Sequence, residues 1–173
     1  MNKNLPLLST ALFFLVVMLN FLSCTKDKSD DSFDFALYQM AKSTSGYVYF
    51  GNSGSLLPRS SGSGHSKPFL RTRYNAIAAT NLDSTGRIIN GSVFPEGAVV
   101  VKELFDDASS IGRYAVLYKK SGDAYADADG WIWGYINEGG SVAEPAANKG
   151  RACIGCHSQT DNIDHMLMNK YFQ

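Results

Sequence analysis

Near the end of this 173-residue chain stands Cys153-Ile154-Gly155-Cys156-His157, and that short run limits the fold more than any other feature. Two thiols three positions apart, with an imidazole directly after the second, form the sequence signature of c-type haem attachment. The chemistry explains the spacing. The thiols add across two vinyl groups on one edge of a porphyrin, so they must sit one short turn apart. The histidine is then carried beneath the ring, where its imidazole can bind the iron. A chain that does this has to fold around one covalent haem c, held by Cys153 and Cys156, with His157 as axial ligand.

Three other readings of the cysteine pair compete. A redox dithiol usually follows a strand in a thioredoxin-like pattern, which is missing here. A closed zinc site wants four ligands at workable spacing, and beyond the adjacent Cys156 and His157 the chain offers only His65 and His165. A plain structural disulfide is the third. His65 falls in a Gly/Ser-rich segment and reads as a loop residue. His165, Met166 and Met168 lie close enough after the motif to be weighed as a sixth iron ligand, and methionine ligation would favour electron transfer. At their spacing, the methionines read more readily as core.

Thioether formation requires a compartment outside the cytoplasm, and the opposite end of the chain agrees. Lys3 precedes an apolar run from Leu5 to Leu22, which ends at Phe21-Leu22-Ser23-Cys24. A cation, an apolar stretch and a small residue before a cut describe a secretory signal over residues 1–23. A membrane-spanning anchor is the competing reading, since the apolar length is borderline. Ser23 directly before Cys24 resembles the lipobox of bacterial lipoproteins, in which the cysteine is acylated. Residues 24–32 are polar and charged and read as a solvated tether. The expected location is therefore the periplasmic side of the outer membrane or the cell surface, with a lipid anchor at Cys24. Charge balances at 16 basic and 16 acidic residues, so nothing favours nucleic-acid binding.

Residues 33–173 read as one α+β domain, mainly antiparallel sheet with packed helices. Phe33, Ala36, Leu37, Met40 and Ala41 have helical spacing. Gly46–Phe50 reads as a short strand and Gly51–Gly64 as a loop, while Tyr74–Ala79 leans helical. Three strands are expected over Ala98–Phe105, Arg113–Lys120 and Trp131–Ile136. Period two puts Trp131, Trp133 and Tyr135 on one face and Ile132 and Ile136 on the other. Asn137–Lys149 reads as a loop, and the chain ends in a short helix. Lys102 shares a strand face with Ala98, Val100 and Leu104, while Glu103 points the other way. An amine buried on an aliphatic face becomes neutral and nucleophilic. The competing reading is a lysine that snorkels or pairs with Glu103, Asp106 or Asp107.

Three blocks give the chain a family resemblance. They are Phe94-Pro95-Glu96-Gly97-Ala98-Val99-Val100-Val101-Lys102-Glu103-Leu104; Gly112–Lys120 followed by Gly130-Trp131-Ile132-Trp133; and the cysteine motif with Asp164 after it. Over about Arg71–Phe172 the chain resembles the cytochrome P-460 family, which includes the c′-β cytochromes. The resemblance implies a mostly β fold, usually dimeric. It also implies an open haem face that binds small molecules such as nitric oxide or hydroxylamine. In the family's enzymes, a lysine matching Lys102 bonds to a porphyrin meso carbon and supports hydroxylamine oxidation. Those enzymes also use an acidic proton relay on the next strand, and Arg113–Lys119 contains no carboxylate. That departure favours binding over turnover. The expected function is thus a haem protein binding or oxidising small nitrogen species. The alternative is a membrane-anchored electron-transfer cytochrome.

Overall fold

The computed structural model describes residues 33–173. The expected leader, the expected lipid-anchor cysteine Cys24 and the expected tether fall outside the described residues. Helix α1 (Phe33–Lys42) has Asp34 in its first turn and Lys42 in its last, the charge order that suits a helix dipole. Seven strands follow: β1 (Val48–Tyr49), β2 (Leu57–Pro58), β3 (Phe69–Tyr74), β4 (Val99–Phe105), β5 (Ile111–Lys119), β6 (Trp131–Asn137) and β7 (Val142–Glu144). Their spatial order is β1-β3-β4-β5-β6-β7, with β2 also on β3, and every pairing is antiparallel. Three single-turn helices complete the fold: α2 (Ala76–Ala79), α3 (Ile154–His157) and α4 (Met168–Tyr171).

The sheet carries a core on each face, as strand alternation requires. Val99, Val101, Val116, Ile132 and Ile136 face one side, which α1 covers with Leu37 and Ala41. Fully burying Leu37 contributes about 1.5–3 kcal/mol. It fits because Gly134 has no side chain: a Cβ there would lie 2.7 Å from a Leu37 methyl. Glu103 also lies on this side and binds Arg71 at 2.6 Å and Arg73 at 3.1 Å. Arg73 in turn donates to the carbonyls of Ala41 and Ser43 at the end of α1. The buried cation thus caps a helix and neutralises a buried carboxylate.

The other face is built from two cross-strand rows. Register places Tyr74, Val100, Leu117 and Trp133 side by side, and next to them Thr72, Lys102, Ala115 and Tyr135. The cysteine motif, α4 and the β2–β3 loop lie over these rows.

The three long strands and α1 match the sequence reading. Three expectations need correction. The helix expected over Tyr74–Ala79 shortens to Ala76–Ala79, because Tyr74 ends the strand Phe69–Tyr74 and Asn75 caps the turn by accepting from the Ala78 amide. The Asn137–Lys149 loop contains β7, paired to β6. The expected Gly46–Phe50 strand shortens to Val48–Tyr49 because Phe50 turns into a 3-10 segment with Gly51 at φ 64°.

Candidate functional site

Between the sheet and the cysteine motif lies a cavity of about 230 Å³. Its floor is the two rows just described, and its far wall includes Cys153, Cys156 and His157. The motif reaches that position through Gly150, which turns at φ 68° and whose Cα lies against the Trp133 ring: a Cβ there would meet indole atoms at 2.5–2.6 Å. Gly150 O then accepts from the amides of Cys153 and Ile154, and Cys153 O accepts from those of Cys156 and His157. One helical turn therefore separates the two thiols. Neither is in a disulfide, and burial pushes the Cys153 thiol up.

His157 is oriented from outside the motif. Its Nδ1 lies 2.7 Å from the carbonyl oxygen of His165. A carbonyl only accepts, so Nδ1 carries the hydrogen and Nε2 keeps its lone pair, the arrangement that suits a metal-binding imidazole. Burial takes the ring down to about 4 despite the raising effect of that bond, with Lys102 adding to the depression. The imidazole is neutral at pH 7. Trp133 packs edge-on against it at 5.2 Å and against the His165 ring at 5.5 Å.

The His165 carbonyl reaches His157 because the backbone turns left-handed at two successive residues, Asp164 (φ 45°) and His165 (φ 69°). Each costs about 1–2 kcal/mol for a residue with a Cβ. Buried polar bonds hold the turn. The Asp164 carboxylate accepts from the Phe94 amide at 2.8 Å, from Trp131 Nε1 at 3.0 Å and from Lys119 Nζ at 3.3 Å. The His165 amide donates to Asn162, and its Nε2 lies 3.0 Å from Asp129. His165 is thus committed to Asp129 and is absent from the cavity wall, whereas Met166 and Met168 line it. Met168 Sδ accepts from Thr72 Oγ1 at 3.2 Å.

Lys102 stands in the middle of the floor, half-buried, between Thr72 and Ala115. None of the acids that could have paired with it does so. Glu103 is taken by two arginines on the opposite face, and Asp106 by Lys67. Burial pulls the amine down to about 8, with Cys156 working slightly the other way. Among the described residues lining the cavity there is no carboxylate.

The sequence singled out Lys102, Cys153, Cys156 and His157, and the structure brings all four to one cavity. It also adds His65, whose Gly/Ser-rich surroundings read as a loop. His65 sits in the β2–β3 loop but lines the cavity, with its ring 5.7 Å from Tyr135 and 6.2 Å from His157. Burial, aided by Lys102 and His157, lowers it to about 3. Sequence reading also gave no role to the Lys119–Asp164–Trp131 cluster. The one signal for it was a lysine on the inward face at the end of a strand.

The donor set fits a haem on its own chemistry. Two unbridged thiols one turn apart face an apolar cavity, beside an imidazole whose Nε2 is free to bind metal. Among the described residues no group of three or more His, Cys, Asp or Glu could hold a bare metal ion, and no helix is long and apolar enough to cross a membrane. No curated protein and no solved structure matches the chain. The family model for cytochrome P460 matches residues 68–167, from the start of β3 through the motif to Leu167. With more than half its length matched, the chain belongs to the cytochrome P460 family, and that membership implies haem binding.

Proposed function

We propose that this is an exported c-type haem protein that binds small nitrogen species, such as nitric oxide or hydroxylamine, on a haem that Cys153, Cys156 and His157 would hold. The observation that carries the reading is the one cavity that brings Cys153, Cys156 and His157 on its far wall to face Lys102 on its floor. Cys153 and Cys156 would hold one haem through thioethers, and His157 Nε2 would be its iron ligand. When bound, the haem supplies a redox-active iron able to take a small ligand.

The remaining work falls to the chain. The His165 carbonyl fixes the His157 tautomer and ring orientation, and Trp133 blocks rotation from the side. Leu70, Val100, Leu117 and Trp133 exclude water from the cavity. Lys102, partly neutral near pH 8, is the one amine among the described residues lining the cavity, placed on its floor for contact with the porphyrin edge or the cross-link known from the family's enzymes. Oxidation of hydroxylamine needs a group that removes protons from the bound molecule. With no carboxylate on the described wall, capture of a neutral gas is favoured over turnover. Acylation of Cys24 would tether the domain to the membrane.

The test is optical. Protein purified from a host with haem-attachment machinery should be coloured, and its ferrous spectrum should change on titration with nitric oxide. A coloured protein indifferent to both nitric oxide and hydroxylamine would contradict the reading. A strongly red-shifted ferrous band that is lost in Lys102→Ala would identify the cross-link.

A further inference from the structure

We propose that the outer face of the cysteine motif is the docking surface for an acidic electron-carrier protein, which exchanges single electrons with the haem held there. This rests on the reading of Cys153 and Cys156 as the haem attachment site, and deepens it by giving the redox partner a chemical class.

The centre of this face is small and open. No residue of α3 is buried, Cys156 is exposed, and Ala152 and Gly155 stand in solvent. A Cβ placed on Gly155 would meet nothing within 4 Å. A group bonded to the Cys156 sulfur therefore begins at the protein surface, with no long side chain on Ala152 or Gly155 to hold another protein away. Electron-transfer encounters need only a small contact, below about 1,200 Å².

Four cations from three stretches of chain stand round that centre. Lys149 and Arg151 are exposed in the tight turn where Gly150 O accepts from the Cys153 amide. Arg59 is exposed in the β2–β3 loop and donates to His65 O at 3.3 Å. Tyr171 Oη ties the same loop down by donating to Gly62 O at 3.1 Å. Gly64 brings it to Cys156: a Cβ at that position would lie 3.8 Å from the thiol sulfur. Lys170 of α4 donates from Nζ to Thr160 O at 2.7 Å, just past the motif. None of these four has a carboxylate partner among the described residues, whereas Lys42, Lys67 and Lys120 are paired with Glu138, Asp106 and Asp123. Outside the cavity, the remaining unpaired cations, Arg87 and Arg113, lie over the rings of Phe50 and Tyr135. Three acids fall near the rim: half-buried Glu144, which accepts from Asn148; exposed Asp161; and Asp129, held by His165. The exposed Asp83, Glu96 and Asp107 serve turns elsewhere, accepting from the amides of Thr85, Ser121 and Ser109. In a chain of zero net charge, the motif thus carries a positive rim. Such a rim attracts an acidic protein as it approaches and turns it to face the motif. One electron then crosses: the donor centre loses what the acceptor centre gains, no bond forms or breaks and no proton moves.

The experiment mixes the reduced, haem-loaded protein with a small acidic or a small basic blue-copper protein, each oxidised, and follows loss of the blue colour by stopped flow. Transfer to the acidic protein should slow about tenfold or more between about 10 mM and about 0.3 M salt, as the Debye length contracts from about 30 Å to under about 8 Å. The double variant Lys149→Gln, Arg151→Gln should react about fivefold more slowly at low salt with its absorption spectrum unchanged, while Arg87→Gln should match wild type. Amide NMR shifts induced by the acidic protein, which read docking without electron transfer, should centre on residues 149–160. A faster reaction with the basic protein, indifference to salt, or shifts centred elsewhere overturns the proposal and leaves the ligand-binding function standing. Salt-dependent transfer through this face, in a protein that binds neither nitric oxide nor hydroxylamine, upholds the docking surface and refutes the proposed function.

Discussion

Replacing Asp164 by alanine tests how the fold aims His157. The Asp164 side chain is 8% exposed and its partner Lys119 7%, so the substitution leaves a cation with little access to water. Breaking a buried pair from one side costs about 3–5 kcal/mol, because the remaining charge is uncompensated. The change also deprives Trp131 Nε1 of its acceptor, while the left-handed backbone strain at residues 164 and 165 remains. Lys119 keeps its bond to the Asp129 carbonyl at 2.7 Å and its place over the Trp131 ring at 4.8 Å, which holds the expected loss near the middle of that range, about 4 kcal/mol. With a urea slope of about 2 kcal/mol per molar, the unfolding midpoint of the haem-loaded protein should fall by about 2 M. Lys119→Met in the Asp164→Ala background should recover much of the loss, since apolar replacement of a whole buried pair is close to neutral. A midpoint shift below about 0.5 M for Asp164→Ala, with the slope unchanged, would refute the account of the turn.

Other substitutions probe the cavity. Burial lowers the Lys102 amine from its ordinary 10.5 to about 8. Below about pH 8 both folded and unfolded chains hold the proton and the folded state carries a constant penalty; between about 8 and 10.5 the unfolded chain binds more protons, so stability rises with pH. Lys102→Met should therefore be more stable than wild type in the cofactor-free form at neutral pH. Its advantage should shrink by about 2–3 kcal/mol towards pH 10.5, as read by denaturant titration; a constant difference would contradict the buried-amine reading. Gly150→Ala forces a Cβ into the Trp133 ring at a left-handed position. It should cost at least about 2 kcal/mol and lower haem incorporation, measured as absorbance per protein. Glu103→Gln should destabilise by about 3 kcal/mol in the same unfolding assay while leaving the haem spectrum unchanged, because its two arginines lie on the face away from the cavity.

The legible parts of the fold were those where periodicity and burial agree. Trp131, Ile132, Trp133, Tyr135 and Ile136 alternate strictly, and the structure sends them to opposite faces as expected. Lys102 stood out because it breaks an aliphatic face, and it does so on the cavity floor. Phe69–Tyr74 was harder, since its inward residues Leu70, Thr72 and Tyr74 alternate with arginines whose partners lie far along the chain. Arg73 is fully buried only because Glu103 and the end of α1 receive it. His65 was illegible for a related reason. Gly and Ser around it signal a loop, and only the packing of that loop against Tyr171 and Cys156 turns it inward. The support for His157 likewise depends on a carbonyl eight residues later, at a backbone angle that no side-chain pattern announces.

The central claim is that two thiols one turn apart capture a porphyrin and bring His157 to its iron. Intact mass under denaturing conditions, on protein made where haem attachment operates, tests it most directly. The account predicts a polypeptide heavier by one haem, with the added mass retained on a peptide containing Cys153 and Cys156 and both thiols inert to alkylation. A colourless chain of unmodified mass whose two thiols both alkylate would contradict it.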